Sequence, residues 1–195
     1  MANRKELKDM TLEELWQLFP IVLSPHKPWW KEWANIEIEA ISKSLCVYKP
    51  VINHIGSTAI PDIQAKPIID ILVEIPADAD RVAIRLLLEK AGYICMSFSE
   101  SRMSFNRGYT LDGYADKVFH VHVHAEGDND EISFRNYLME DSATAREYEK
   151  LKCSLLPKFR TDRDGYTAAK SEFVKRVLSL VKSRDATLGL WKGKS

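Results

Sequence analysis

The residues best suited to chemistry fall in two short stretches. The first runs Asn53-His-Ile-Gly-Ser-Thr-Ala-Ile-Pro61 and continues as Lys66-Pro-Ile-Ile-Asp-Ile-Leu-Val-Glu74. A Gly56-Ser57-Thr58 turn at a strand end offers bare backbone N–H groups and two hydroxyls. Such a set can cradle phosphate oxygens, because glycine lets the backbone come close. Asp70 interrupts an otherwise apolar run, and a buried carboxylate is costly unless it is paired or bound to a metal. The same residues also permit a plain turn, with Asp70 capping a helix or pairing with Lys66. The second stretch is His120-Val-His-Val-His124. Alternate residues of a strand share a face, so His120, His122 and His124 project together, neighbours about 7 Å apart along the strand. That is wide for chelation, but rotamer choice or a ligand from elsewhere can close the gap. With His54 in the first stretch, four of the five histidines lie in these two places.

Three blocks of patterning would position these groups. A helical lead spans 11–45. Thr11 and Glu14 form a capping box for a short helix carrying Leu12, Leu15, Trp16 and Phe19, which Pro20 stops. Pro28 suits the first turn of a second helix, where Trp29, Trp33, Ile36 and Ala40 recur at helical spacing. A sheet core follows over 51–124. Val51 to Ile55 reads as a strand. Ile68 to Ile75 is apolar and β-branched, the mark of a buried strand. A helix over 79–91, with Val82, Leu86, Leu87 and Ala91, ends at Gly92. Strands are predicted at Tyr93–Phe98, Met103–Thr110 and Val118–His124, with a hairpin loop over 111–117. Helices fill 130–185, with stripes at Phe134, Tyr137 and Leu138, at Tyr148, Leu151 and Leu155, and at Phe173, Val177, Leu180 and Val181. The tail from Gly189 is polar. The order is that of one α+β domain over 1–195 with helical flanks.

Composition narrows the function classes. The chain has 195 residues, with 28 Lys plus Arg against 28 Asp plus Glu. A net charge of zero argues against a dedicated nucleic-acid surface, though not against a local basic site. No apolar run approaches the roughly 20 residues that span a bilayer, and the charged segment Met1 to Met10 lacks the apolar stretch of a secretory signal. Cys46, Cys95 and Cys153 match no metal spacing; they read as reduced, mostly buried thiols of a cytoplasmic protein. No Gly-x-Gly-x-x-Gly and no P-loop is present.

The motifs gain specificity as an ordered set. His54-Ile-Gly-Ser-Thr-Ala-Ile-Pro61, Lys66-Pro-Ile-Ile-Asp-Ile71 and the His120-x-His122 strand are followed by Phe134-Arg-Asn-Tyr-Leu138, Tyr148-Glu-Lys-Leu-Lys152 and Tyr166-Thr-Ala-Ala-Lys170. Together they resemble the GrpB family, from near residue 20 to near residue 180. That resemblance implies a nucleotidyltransferase-like mixed β-sheet with N-terminal helices and a C-terminal helical cap. A strand–Gly-Ser–strand–Asp core of that kind holds nucleotide phosphates and a divalent metal (Mg, Mn or Zn). It points to Asp70 and His122 as catalytic, and to His120 and Glu74 as further metal candidates. Gly56, Ser57, Thr58 and Lys66 would lie on the phosphates, and His54 beside them. Arg107, Arg135, Lys152 and Lys170 would complete an anion site if they converge; otherwise they are solvated polar faces. Lys175, Arg176 and Lys182 read as solvated.

The implied ligand is a nucleotide or a coenzyme A-like small molecule. Active transferases of this superfamily carry a second carboxylate two residues after the first, where this chain has Leu72. Glu74 lies about 13 Å from Asp70 along the strand, too far to share an ion. The third acidic position falls on His122. Asp plus His suits a single softer ion, Zn²⁺ or Mn²⁺, better than a Mg²⁺ pair. Two alternatives stand beside a transferase. One is a non-catalytic nucleotide-binding module on a degenerate transferase fold. The other is a histidine-triad hydrolase, whose alternating motif His-Val-His-Val-His-Ala resembles and whose nucleophile would be His122; here the motif ends in Ala125 and Glu126.

Overall fold

The computed structural model describes residues 5–187; the expected polar tail from Gly189 lies outside the described residues. Helix α1 (Leu12–Leu18) has the capping box: the Thr11 hydroxyl accepts from the Glu14 N–H, and the Glu14 carboxylate accepts from the Thr11 N–H. Helix α2 (Trp29–Ser44) follows Pro28, which stands at the cap with helical φ of −57°. Strands β1 (Val51–Ile55) and β2 (Ile69–Ile75) are separated by the Gly56–Ser57–Thr58 turn. Next come α3 (Arg81–Lys90), β3 (Ile94–Phe98), β4 (Arg102–Thr110) and β5 (Gly113–Ala125). Four helices close the chain: α4 (Asp130–Glu140), α5 (Ser142–Phe159), α6 (Arg163–Ala168) and α7 (Ser171–Thr187). The architecture is α+β, as the patterning predicts.

The five strands form one mixed sheet in the order β1-β2-β5-β4-β3. Only β2 and β5 run parallel; the other neighbours are antiparallel. The interior place of β2, paired on both edges, fits its largely apolar character, broken only at Asp70 and Glu74. One face of the sheet packs on α2 and α3 through Ile69, Ile71, Val73, Phe105 and Val121, with Trp30 and Ile84 from the helices. The other face carries Asp70, His120 and His122. A second, smaller core joins α4, α5 and α7 around Phe134, Leu138, Tyr148 and Val177, and takes in Ile60 and Ile63.

Four sequence expectations need correction. The buried stripe of α2 is Trp30, Ala34, Glu37 and Ile41, whereas Trp29 and Ile36 are exposed. The stripe is shifted by one residue because a charged side chain, Glu37, is buried in it. In α3 the buried residues are Ile84 and Leu88, while Val82 and Leu86 face outward. The loop over 111–117 is much shorter than expected. Thr110 pairs with Gly113 and Tyr109 with Tyr114, so only Leu111 and Asp112 turn the hairpin. Cys46 is exposed and the other two cysteines are partly buried. Among the described residues no helix is long and apolar enough to cross a membrane.

Candidate functional site

Strand register brings the site together. In the ladders Asp70 stands opposite His120, His120 opposite Asn106, and Asn106 opposite Ile94. Directly paired residues share a face, so these four form one row across the sheet, and all four line a cleft of about 940 Å³. In the next row His122 pairs with Ser104. The Asp70 carboxylate lies 3.2 Å from His120 Nδ1 and 3.8 Å from His122 Nε2. The ligand atoms of Asp70, His120 and His122 all fall within 4.8 Å of one another.

That spacing fits one ion. A tetrahedral centre with bonds of about 2.0–2.2 Å holds its ligand atoms about 3.3–3.6 Å apart, between the two observed separations. His120 also meets the Tyr109 hydroxyl through Nε2, at 2.7 Å. This outer contact orients the ring so that Nδ1 faces Asp70, as second partners of ligand histidines do. Burial works against a charged Asp70, but hydrogen bonds from His120 and then His122, reinforced by their charge whenever they are protonated, outweigh it and hold the carboxyl below the ordinary carboxylate range. Burial lowers the affinity of His120 for a proton, and Asp70 only partly restores it. A carboxylate beside an imidazole kept neutral is the protonation state a metal needs.

The turn after β1 is built against Asp70. Gly56 has φ of +70°, and a Cβ there would sit 2.3 Å from Asp70 Oδ2. Glycine is thus required twice, by backbone conformation and by space. Ser57 faces the cleft beside the Tyr148 hydroxyl, and burial pushes that phenol up to about 12. Thr58 is buried, and its hydroxyl donates to the Ile68 carbonyl at 3.3 Å. His54 Nε2 then donates to Thr58 Oγ1 at 2.9 Å. Burial lowers His54 to about 4. The side chains of His54 and Thr58 therefore brace the turn from behind; only Gly56, Ser57 and the backbone at Thr58 can meet a ligand.

A cationic wall faces the turn, Lys66 from the loop before β2 and the others from the C-terminal helical segment. Lys66, Lys152, Lys170 and Arg163 line the cleft. Each rests on an aromatic ring: Lys66 and Lys170 on Tyr166, Lys152 on Tyr148, and Arg163 on Tyr109. Such cation–π contacts hold each charge in place without neutralising it. Burial, and then the charges of Lys170, Arg163 and Lys152, bring Lys66 down to about 7, with Asp70 opposing. Burial, and then Lys170, bring Lys152 down to about 8. Lys152 also donates to the Gln64 carbonyl, and Arg163 donates to the Tyr109 hydroxyl at 2.8 Å.

Several expected residues lie elsewhere. Glu74 accepts from Gly127 N–H at 3.0 Å and from Asn129 Nδ2 at 2.9 Å, so it ties down the loop before α4 and is no metal ligand. Arg107 points to the opposite face of the sheet, where Nη1 meets buried Glu37 at 2.9 Å. Arg135 donates to the His54 carbonyl behind the turn. His124 is buried beside Asp128. The sequence reading missed Arg163, Tyr109, Tyr148 and Tyr166. The available signal was aromatic: Tyr148 and Tyr166 open the very segments that carry Lys152 and Lys170. Tyr109 reaches the cleft because the ladder shifts register between Arg107 and Tyr109. Gly108 sits in that bulge with φ of +90°, where a Cβ would lie 2.2 Å from the Lys117 carbonyl oxygen.

Comparison with known proteins agrees with the ordered motifs. The model of the family described as GrpB protein matches residues 20–180. A UPF0157 protein of Pseudomonas aeruginosa is 36% identical over 161 residues, 81% of this chain and 66% of that protein. The glutamate-rich protein GrpB of Alkalihalophilus pseudofirmus is 34% identical, over 82% of this chain and 94% of its own length. The crystal structure of conserved protein GrpB from Enterococcus faecalis superposes with a TM-score of 0.69 at 29% identity, covering 82% of this chain and 96% of that one. The chain belongs to the GrpB family.

Proposed function

We propose that this GrpB-family protein binds a nucleotide or phosphorylated cofactor in the cleft, with a single divalent ion, and transfers a nucleotidyl or phosphoryl group. One observation carries the reading: Asp70, His120 and His122 share a cleft with the Gly56–Ser57 turn and four cationic side chains. An ion pocket beside an anion cradle is what a metal-assisted phosphate site requires. Asp70 with His120 and His122 would hold Zn²⁺ or Mn²⁺ rather than Mg²⁺, which prefers oxygen ligands. When bound, such an ion supplies Lewis-acid polarisation of a phosphate oxygen. Lys66, Lys152, Lys170 and Arg163 neutralise the phosphate charge, and the turn fixes its orientation through backbone N–H groups and the Ser57 hydroxyl.

Leu72 favours a second reading, binding without turnover. It is fully buried between Asn53 and His122 in the ladders. No second carboxylate can therefore join Asp70 from that position.

A thermal-shift screen against nucleotides and coenzyme A, with and without Mn²⁺, Zn²⁺ and Mg²⁺, tests both readings. A ligand at 100 times its Kd adds about 2.7 kcal/mol to the native state. Asp70→Asn and His122→Gln should each keep the fold and abolish the Mn²⁺- or Zn²⁺-dependent part of the shift and any metal-dependent turnover. If Asp70 is only structural, Asp70→Asn leaves metal response intact and lowers stability by about 1–3 kcal/mol. A folded protein that no phosphate compound stabilises, with any ion, defeats both readings.

A further inference from the structure

The cleft is not uniform. Its polar end holds the Asp70 cluster and the cationic wall. The row Asp70–His120–Asn106–Ile94 crosses four strands, so Ile94 lies about 14 Å from Asp70 at ordinary strand spacing. Ile94 and Met96 of β3 stand at that end, and the cleft is further lined by Leu111 from the hairpin turn and by Leu12, Leu15 and Trp16 from α1, together with Glu6 and Lys8. Leu12, Ile94 and Met96 are 59%, 49% and 57% exposed. Large apolar side chains gathered beside a polar site mark a binding surface more often than chance exposure.

The wall is held in place. Phe19, at the end of α1, is buried against Tyr109 and Tyr114, with ring centroids 4.7 and 5.2 Å away. Tyr114 donates from its hydroxyl to the Phe19 carbonyl at 3.2 Å, and the Ile21 N–H donates to the Arg160 carbonyl at 2.8 Å. Phe19 thus anchors α1 to the same tyrosine that orients His120. Helix α1 also precedes the residues matched to the family, 20–180. It adds an apolar side to the cleft that the matched segment does not itself encode.

We infer that the ligand is an aliphatic phosphate ester, its phosphate on the Gly56–Ser57 turn and the cationic wall, its alkyl or acyl chain along Ile94, Met96, Leu12 and Leu15. The charge at one end selects an anion. Beyond Asn106 and Ser104 the large side chains lining the cleft are mostly aliphatic, with one tryptophan, and offer more contact area than hydrogen-bonding groups. A span of about 14 Å accommodates a chain of several methylenes. The inference rests on the proposed phosphate site and names the class of its ligand.

Isothermal titration with inorganic phosphate, ethyl, butyl and octyl phosphate, AMP, and octyl glucoside as a phosphate-free control tests it, in the presence of Mn²⁺. Affinity should rise about fourfold per methylene along the alkyl series, the equivalent of about 0.8 kcal/mol for each buried group, and octyl phosphate should bind more tightly than AMP. Leu15→Ser and Met96→Ser should flatten that rise while leaving inorganic phosphate binding unchanged. Octyl glucoside should not bind. Equal affinity for every phosphate, or AMP the tightest, overturns the aliphatic class and leaves the phosphate site standing. Octyl glucoside binding as well as octyl phosphate also overturns it. Failure of all phosphates to bind folded protein overturns the phosphate site itself.

Discussion

The two faces of the sheet treat charge in opposite ways. On the face covered by α2 and α3, the buried carboxylate of Glu37 is met by both Tyr93 and Arg107, and everything around it is hydrocarbon. On the other face, Lys66, Lys152, Lys170 and Arg163 gather around Asp70 with like charge predominating, and burial drags the lysines down. One face pairs its buried carboxylate with a cation and a hydroxyl and closes. The other leaves several of one sign partly desolvated and open to a cleft. Desolvated like charges destabilise a fold unless a ligand of opposite charge joins them, so the contrast separates the structural half of the molecule from the half built to receive something. Because β2 and β5 contribute alternate residues to both, a one-residue register slip would exchange the two roles.

The sharpest way to break the contrast is a large cavity on the closed face. Phe105 is fully buried there. Phe105→Ala should cost about 3–5 kcal/mol of stability, read from denaturant midpoints. The fraction that stays folded should bind Mn²⁺ and phosphate with unchanged affinity. Loss of metal affinity along with stability would mean the two faces are not separable.

A smaller effect probes the open face through pH. Lys66 is faced by Lys170, Arg163, Lys152 and Asp70, and stands near 7 in the free protein against about 10.5 when unfolded. The unfolded chain therefore binds more protons between those values, and this lysine makes the protein more stable as pH rises through that window. A bound phosphate reverses the preference and draws a proton onto Lys66. Phosphate affinity, measured where the ligand is already a dianion, should fall about 25-fold between pH 7.5 and 9 from Lys66 alone. Lys66→Arg, which keeps its charge, should remove the Lys66 share of the fall and leave the shallower part owed to Lys152, which stands near 8. A flat profile in the native protein would show that Lys66 does not touch the anion.

Much of this division was legible in the sequence, and the gaps have physical causes. Strand β1 was delimited at both ends by pattern alone, and β2 to within one residue. The His120–His122 alternation, with Asp70 in an apolar run, brought these three side chains together, because period two is enforced by the pleat. The helical stripes were less legible. The stripe of α2 contains Glu37, which hydropathy places outside, and only the partner residues Tyr93 and Arg107, far along the chain, make its burial tolerable. Glu74 shares a face with Asp70 by alternation, yet the β2–β5 register sets it opposite His124 and under the loop at Gly127. Arg163 opens a short helix and belongs to no motif. It counts because a bulge at Gly108 turns Tyr109 toward it; the glycine inside the strand is the local sign of the bulge, but not of which side chain it redirects.

Arg107 gives the smallest and most discriminating test. Residue type and its place on the strand beside the histidines make it a phosphate candidate, and the register places it on the closed face, half exposed, against Glu37. Arg107→Ala should leave phosphate affinity within about twofold of the native value, since the side chain reaches no atom of the cleft. It should lower stability by about 1–2 kcal/mol, because buried Glu37 loses one of its hydrogen-bond donors and keeps Tyr93. Lys170→Ala, an equal loss of charge on the open face, should do the reverse: phosphate affinity falls about tenfold, as for loss of a charge-assisted contact, while stability holds or rises as one member of a crowded cationic group is removed. The pair is measured side by side by titration calorimetry and chemical denaturation. A loss of phosphate affinity in Arg107→Ala as large as that in Lys170→Ala would mean that charge is read through the sheet rather than across the cleft, and the separation of its two faces would fail.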